Sequence, residues 1–293
     1  MGFELRPYQK EAVDAGLKFL TGRSKKPGIE VLPCAAGKSL IISKIAHELK
    51  RPILVLQPSK EILEQNYAKA VSFGSKPTIY SASCKKKELS AMTYATLKSI
   101  KKDVARLKDI GIDTLLIDEV HSGYSPEEGS EFMEFMNRFP EAKVLGFTAT
   151  PCRLRTYSSM LEGNYSKLNM LTKDEHNFFK KIVHVTQIQE LTSQGFWCPL
   201  KYERWSFDES ALMLNSTGAE YTNESIKESI VRNGLNNSIY KRLLQLMNER
   251  KAILVCMDSI ESCNRISEFM NAKMGAITGV VTSLTTKKKR EQI

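Results

Sequence analysis

The chain has 293 residues, 42% of them hydrophobic, which is ample for one large core or two smaller ones. Lys and Arg number 43 against 33 Asp and Glu, a net charge of +10 that suits a polyanionic partner and equally marks a solvated basic face. None of the six cysteines forms a CxxC pair or has a histidine at metal-ligand spacing, and no apolar run is long enough to span a membrane. A zinc site, a disulfide framework and a membrane-embedded role are therefore excluded, and a soluble, cytoplasmic protein of a reducing compartment is expected.

In chain order, residues 29–32 read as a buried strand stopped by Pro33, and residues 39–50 as a helix with Ile41, Ile42, Ile45, Ala46 and Leu49 in register. Residues 53–56 are a second strand, and a helix follows from about 60 to 70. Short strands are expected at 78–80 and 91–93, and a strongly apolar strand at 114–117 that ends in Asp118-Glu119. A helix at 131–139 and a strand at 143–147 complete the alternation. Strands alternating with helices imply crossover connections and a parallel sheet with helices on both faces, whose ligands sit at the carboxyl ends of the strands.

From 152 to 177 the periodicity weakens and the segment reads as polar connection. Residues 182–196 regain amphipathic spacing, with Gly195 as a helix stop. A helical stretch at 225–248 breaks near Gly234. It is followed by a strand at 252–257, a helix at 259–273, a second short strand at 279–282 and the start of a helix at 285–293. Two domains are expected, 1–198 and 199–293. The basic runs at Lys85, Lys86, Lys87 and at 287–290 read as solvated faces.

Three strings carry chemistry. Pro33-Cys34-Ala35-Ala36-Gly37-Lys38-Ser39 follows a strand and opens a helix, so its backbone amides can wrap phosphates at a helix N-terminus. Lys38 would reach the β- and γ-phosphates, and Ser39 would offer its hydroxyl to Mg²⁺. The general phosphate-loop pattern has a first glycine where this chain has Leu32, and a Gly-Lys-Ser triplet alone favours an ordinary helix start. Asp118-Glu119-Val120-His121 shifts the balance, because a strand end places a carboxylate beside that loop. Asp118 can bind Mg²⁺, and Glu119 can accept a proton from an attacking water. Acidic pairs also cap helices, but that reading leaves the order of strand, carboxylates and loop unexplained. Gly146-Phe147-Thr148-Ala149-Thr150-Pro151 follows another strand and offers two small hydroxyl side chains.

Together these strings resemble the superfamily 2 helicases and translocases of the DEAD/DEAH-like kind, from Leu5 to the end of the chain. The resemblance implies a RecA-like first domain (a P-loop NTPase α/β fold) followed by an incomplete second RecA-like domain, with ATP and Mg²⁺ as cofactors. Leu5-Arg6-Pro7-Tyr8-Gln9 is similar to the adenine-reading segment, which implies an adenine contact for Gln9 with Arg6 beside it. Residues 33–39, with Cys34, Ala35, Ala36, Gly37, Lys38 and Ser39, resemble motif I. Ala35 stands where the family has glycine, and is tolerated if its φ is negative. Asp118, Glu119 and His121 lie in motif II, and Thr148 and Thr150 in motif III, which implies that His121, Thr148 and Thr150 couple hydrolysis to strand engagement. Residues 54–65 and 93–97 resemble motifs Ia and Ib, which implies nucleic-acid contacts at Pro58, Ser59, Thr93 and Tyr94.

The form of the motifs is most similar to the restriction-motor, repair and phage branch, so DNA is favoured over RNA as partner. The family's arginine finger lies in a motif expected beyond residue 293. Weak activity alone, or completion of the second domain by another polypeptide, is therefore expected. The leading expectation is an ATP-dependent DNA helicase or translocase. The alternatives are a non-catalytic ATP- and nucleic-acid-binding module, an RNA helicase and an unrelated small-molecule kinase.

Overall fold

A computed structural model describes residues 4–122, 124, 129–159, 163–173, 176–215, 221–274, 278–290 and 292–293. The chain divides into two compact units, Met1–Tyr202 and Glu203–Ile293.

In the first unit the elements run α1 (Pro7–Thr21), β1 (Gly28–Val31), α2 (Lys38–Leu49), β2 (Ile53–Leu56), α3 (Lys60–Ser72), β3 (Thr78–Ser81), β4 (Lys86–Lys87), β5 (Met92–Ala95), α4 (Leu97–Ile100), α5 (Val104–Asp109), β6 (Thr114–Ile117), α6 (Glu131–Met136), β7 (Lys143–Thr148), β8 (Cys152–Ser159), β9 (Gly163–Met170), β10 (Lys181–Val185) and α7 (Ile188–Ser193). Eight strands form one sheet in the order β10-β1-β7-β6-β2-β5-β3-β4. Every pairing is parallel except the β3–β4 edge hairpin.

The pleat explains the two cores. Ile53 and Val55 of β2 and Leu116 of β6 point to one face, where they meet Leu20 of α1, Ile41 and Ile45 of α2 and Leu63 of α3. Leu54, Leu56, Leu115 and Ile117 point to the other face, against Ile100, Leu107, Phe132 and Phe135 of α4, α5 and α6. Alternation along a strand sends successive side chains to opposite faces, so strands covered on both sides read as unbroken apolar runs. The sheet and its two helical layers are the α/β RecA-like arrangement that the sequence implies.

Two readings of this unit are corrected. The polar segment 152–177 is not mere connection: β8 and β9 pair antiparallel from Cys152↔Met170 to Ser159↔Gly163 as a separate two-stranded ribbon. A ribbon held by its own backbone ladder has no apolar alternation to reveal it, and residues 160–162 and 174–175 lie outside the described residues. Residues 182–196 are not one helix. Their first part is β10, the parallel neighbour of β1, and only α7 is helical before Gly195, whose φ of +73° ends it.

The second unit contains α8 (Asn223–Arg232), α9 (Leu235–Glu249), α10 (Ile260–Met274) and α11 (Lys287–Arg290). Gly234, with φ +57°, separates α8 from α9 where the break is expected. The strands expected at 252–257 and 279–282 do not form a ladder among the described residues. A strand is held by its neighbour's hydrogen bonds, and among the described residues no strand pairs with either run. Val255 and Met257 instead pack on a helical cluster of Leu243, Ile266 and Met270, and Leu254 is 92% exposed. Residue 291, in the last expected helix, lies outside the described residues. No described helix is long and apolar enough to cross a membrane.

Candidate active site

β1 ends at Val31, and the loop that follows is pinned at both ends. Leu32 N–H donates to the Thr148 carbonyl at 2.9 Å, and Ala36 N–H to the Pro33 carbonyl at 3.1 Å. α2 starts at Lys38, directly after Gly37. Gly37 has φ +87°, in the left-handed region that favours glycine, and a Cβ there would also push Gln9 Nε2 aside. Ala35 has φ +61°. The condition of a negative φ is therefore not met: the loop curls through the left-handed region, which costs a non-glycine residue about 1–2 kcal/mol.

β6 delivers the acidic pair to the same sheet edge. Asp118 N–H donates to the Leu56 carbonyl at 3.0 Å, which extends the β6–β2 ladder by one rung. Asp118 is 3% exposed. Its Oδ2 accepts from Asn66 Nδ2 at 3.1 Å and its Oδ1 from Glu119 N–H at 3.0 Å. Burial first, and then the neighbouring Glu119 carboxylate, push the Asp118 pKa up to about 6, outweighing Lys38 and both donors. Glu119 sits at φ +51°, a strained conformation for a side chain of its size. That turn aims its carboxylate at the loop: Oε1 lies 3.1 Å from Lys38 Nζ, and Oε2 lies 3.3 Å from His121 Nδ1. The same His121 nitrogen is 2.9 Å from Thr148 Oγ1. Thr148 Oγ1 donates to the Thr150 carbonyl at 2.9 Å and accepts from Thr150 N–H at 3.0 Å. Lys38, Glu119, His121, Thr148 and Thr150 thus form one polar chain across the carboxyl ends of β1, β6 and β7, with Asp118 buried at its side.

α1 closes the other side of the loop. Gln9 Nε2 donates to the Ala36 carbonyl at 2.9 Å, and Tyr8 Oη donates to the same carbonyl at 3.0 Å. Gln9 Oε1 accepts from Arg6 N–H at 3.0 Å and keeps one lone pair for a further donor. Arg6 stacks its guanidinium 4.6 Å above the Phe196 ring, and Tyr8 packs on the same ring. Cys34 is exposed, and Ser39 is half-buried in the first turn of α2.

The oxygen-only set of Asp118 carboxylate and Ser39 hydroxyl suits a hard cation such as Mg²⁺, which takes one or two protein ligands and completes its shell with water and phosphate. A buried carboxylate raised to about 6 beside a second carboxylate also favours an added positive charge.

Of the residues expected at nucleic acid, Pro58 is exposed after β2, and Ser59 caps α3 by accepting from Ile62 N–H at 3.4 Å. Thr93 and Tyr94 are corrected: both are fully buried within β5, Thr93 bonded to Ser90, so neither side chain can touch a strand outside. Sequence reasoning missed Asn66, Phe196 and Arg153. Arg153 donates to the carbonyls of Val120 and Tyr124 and so ties the segment after Thr150 to the one after Glu119. Asn66 lies one residue beyond the stretch resembling motif Ia, and nothing in its neighbours marks it as facing Asp118.

A family profile described as the type III restriction enzyme, res subunit, matches residues 2–153, just over half of the chain. The chain is 34% identical over 155 residues to the DNA 3'-5' translocase XPB2 of Sulfurisphaera tokodaii; the match covers 51% of this chain and 31% of that protein. It also resembles a crystal structure of a hypothetical ATP-dependent RNA helicase from Sulfolobus tokodaii, at 18% identity and a TM-score of 0.41, over 52% of this chain and 48% of that one. The chain thus spans about a third of the first relative and about half of the second, and the second likeness is too weak to carry an argument. The matched profile covers the loop, the acidic pair and the Thr148–Thr150 turn together, and the chain belongs to the family of the type III restriction enzyme res subunit, a superfamily 2 helicase-like protein.

Proposed function

We propose that this chain binds and hydrolyses ATP with Mg²⁺ and uses the cycle to move on, or remodel, duplex DNA. The observation that carries the reading is the polar chain from Lys38 through Glu119 and His121 to Thr148, set beside buried Asp118. In this role the amides of residues 35–38 and the Lys38 ammonium receive the phosphates, with the positive end of α2 behind them. Asp118 and Ser39 would hold Mg²⁺, which supplies charge neutralisation on the phosphate oxygens. Glu119 takes a proton from the attacking water. Gln9 reads adenine through its open acceptor, and Arg6 and Phe196 flank the base. Thr148 and Thr150, joined to Glu119 through His121, carry the state of the nucleotide to the chain after β7.

DNA is chosen over RNA because the family is named for a restriction enzyme and the matched relative is named a DNA translocase. The unit Glu203–Ile293 is assigned to the start of a second RecA-like domain, on the order of its helices and apolar runs. The test is ATP hydrolysis with duplex, forked and single-stranded DNA and with a matched RNA. Stimulation by DNA above RNA is expected. Stimulation by RNA alone would refute the choice of DNA, and stimulation only by a small phosphate acceptor would refute the motor reading.

A further inference from the structure

Gln57 follows β2 directly and is 1% exposed. Its peptide with Leu56 is pinned on both sides. Gln57 N–H donates to the Ala95 carbonyl at 2.9 Å, and the Leu56 carbonyl accepts from Asp118 N–H at 3.0 Å. β2 and β6 pair Val55↔Leu116 and Leu56↔Ile117, so the next rung sets Gln57 beside Asp118. Val55 and Leu116 both face the layer of α1, α2 and α3, and side chains two residues on return to the same face. Gln57 and Asp118 are therefore lateral neighbours on one face, their strands roughly 4.8 Å apart.

Asn66 reaches over the same point. α3 packs on β5, where the Tyr67 and Tyr94 rings meet edge-on with centroids 6.4 Å apart. From α3, Asn66 Nδ2 donates to Asp118 Oδ2 at the end of β6 at 3.1 Å, and β2 lies between β5 and β6 in the sheet. The bond thus crosses above the end of β2, on the face that carries the Gln57 side chain. The backbone of Asn66 is held as well, its carbonyl accepting from Ser43 Oγ of α2 at 3.1 Å.

Gln57 Nε2, Gln57 Oε1 and Asn66 Oδ1 are all buried without a hydrogen-bond partner among the described residues. A buried polar atom left unbonded is costly and rare. Here a donor and an acceptor stay open on two side chains that converge on Asp118, and a bond from Gln57 Nε2 to Asn66 Oδ1 closes both. Such a bond also fixes the sense of the Asn66 amide. With Oδ1 turned to Gln57, Nδ2 faces Asp118; a flipped amide would set an oxygen against the carboxylate.

The plain alternative is that both amides bond only to internal water, as buried polar groups commonly do. That role accounts for burial and for the open atoms. It does not account for a complementary donor and acceptor placed together, one beside Asp118 and the other on the very side chain that donates to it.

We infer that Gln57 is a positioning residue for Asp118 that acts through Asn66: Gln57 sets the Asn66 amide, and Asn66 sets the carboxylate that would hold the cation. The inference rests on the reading of Asp118 as a Mg²⁺ carboxylate given above, and its test separates the two. Groups that orient a metal-holding side chain contribute about 10–100-fold to metal affinity.

Binding of a fluorescent ATP analogue is followed across a Mg²⁺ series for the whole chain and for Gln57→Met, Asn66→Leu and the double variant. The quantity read is the Mg²⁺ concentration at half of the metal-induced gain in affinity, with each protein normalised to its own metal-free binding. Gln57→Met keeps the length of the side chain and removes the amide, and it is expected to raise that midpoint by about 10-fold. The double variant is expected to match Asn66→Leu alone, because the effect of Gln57 passes through Asn66. Gln57→Asn withdraws the amide by one methylene; it serves where the methionine variant does not fold, and it is expected to raise the midpoint too. An unchanged midpoint, with the wild type responding to Mg²⁺, would overturn the positioning role and leave the nucleotide reading standing, and a lowered melting temperature beside it would make Gln57 a packing residue only. Additive losses in the double variant would overturn the route through Asn66. A wild type whose binding ignores Mg²⁺ would overturn both readings.

Discussion

Glu119 Oε1 lies 3.1 Å from Lys38 Nζ, so the residue assigned to the phosphates and the residue assigned to the water hold each other. Both are largely withdrawn from solvent, at 11% and 23% side-chain exposure, so the pair is screened less than a surface ion pair. In the proposed role a phosphate arriving at Lys38 would compete with Glu119 for the ammonium and free the carboxylate as a base. Glu119→Gln is expected to bind a fluorescent ATP analogue at least as tightly as wild type, since the neutral amide competes less for Lys38. Its hydrolysis rate should drop by about 100-fold or more. Single-turnover hydrolysis beside equilibrium binding checks both parts; an unchanged rate would mean that the base lies elsewhere.

Asp118 makes stability depend on pH. Its folded pKa of about 6 lies above the ordinary carboxylate value of about 3.9, so between those values the folded chain keeps a proton that the unfolded chain has lost. The contribution is intact below about pH 4 and is lost as pH rises through about 6, on the order of 2–3 kcal/mol. Glu30, wholly buried in β1, is pushed up by burial as well and acts with the same sign. Asp118→Asn isolates the first group. Denaturant melts should show the variant more stable than wild type at pH 8 and close to it at pH 4. A constant difference at both pH values would contradict this account.

Asn66 acts on the same carboxylate from α3, and its backbone carbonyl accepts from Ser43 Oγ of α2 at 3.1 Å. Asn66→Leu keeps the branching of the side chain and removes the donor. A hydrogen bond to a charged group contributes about 1.5–3 kcal/mol. The variant should lose about that much stability at pH 8, where Asp118 is ionised, and less at pH 4, where it is neutral. Equal losses at the two pH values would make Asn66 a packing residue only.

Ala35 offers a gain. At φ +61° alanine is strained and glycine is not, so Ala35→Gly should raise stability by about 1 kcal/mol, net of the extra freedom glycine has in the unfolded chain. A thermal melt checks this, and a loss of stability would show that the loop does not hold that conformation in solution.

How much of this was legible in the sequence depended on the kind of constraint. The strands β2 and β6 announce themselves because both faces are covered, which leaves unbroken runs of Leu, Ile and Val. The loop and the acidic pair were legible as strings, and their meeting followed from parallel strands ending on one side. What was hidden is set by contacts distant in the chain or by backbone angles. The positive φ of Ala35 comes from the loop's path, which no property of alanine suggests. Asn66 reaches Asp118 only once α3 is packed on the sheet. Thr93 and Tyr94 stand at nucleic acid only through the motif Ib resemblance, whereas β5 lies between β2 and β3, where both faces are filled. The β8–β9 ribbon has a polar sequence because its order rests on backbone pairing.

Equilibrium binding decides whether Lys38, Asp118 and Ser39 form a nucleotide site. A fluorescent ATP analogue would be titrated into wild type and Lys38→Ala, with and without Mg²⁺. The account predicts saturable binding that Mg²⁺ strengthens, and a loss of about 10-fold or more in the variant, as expected when a charge-assisted contact is removed. Equal affinity in the two proteins, or binding indifferent to Mg²⁺, would contradict it.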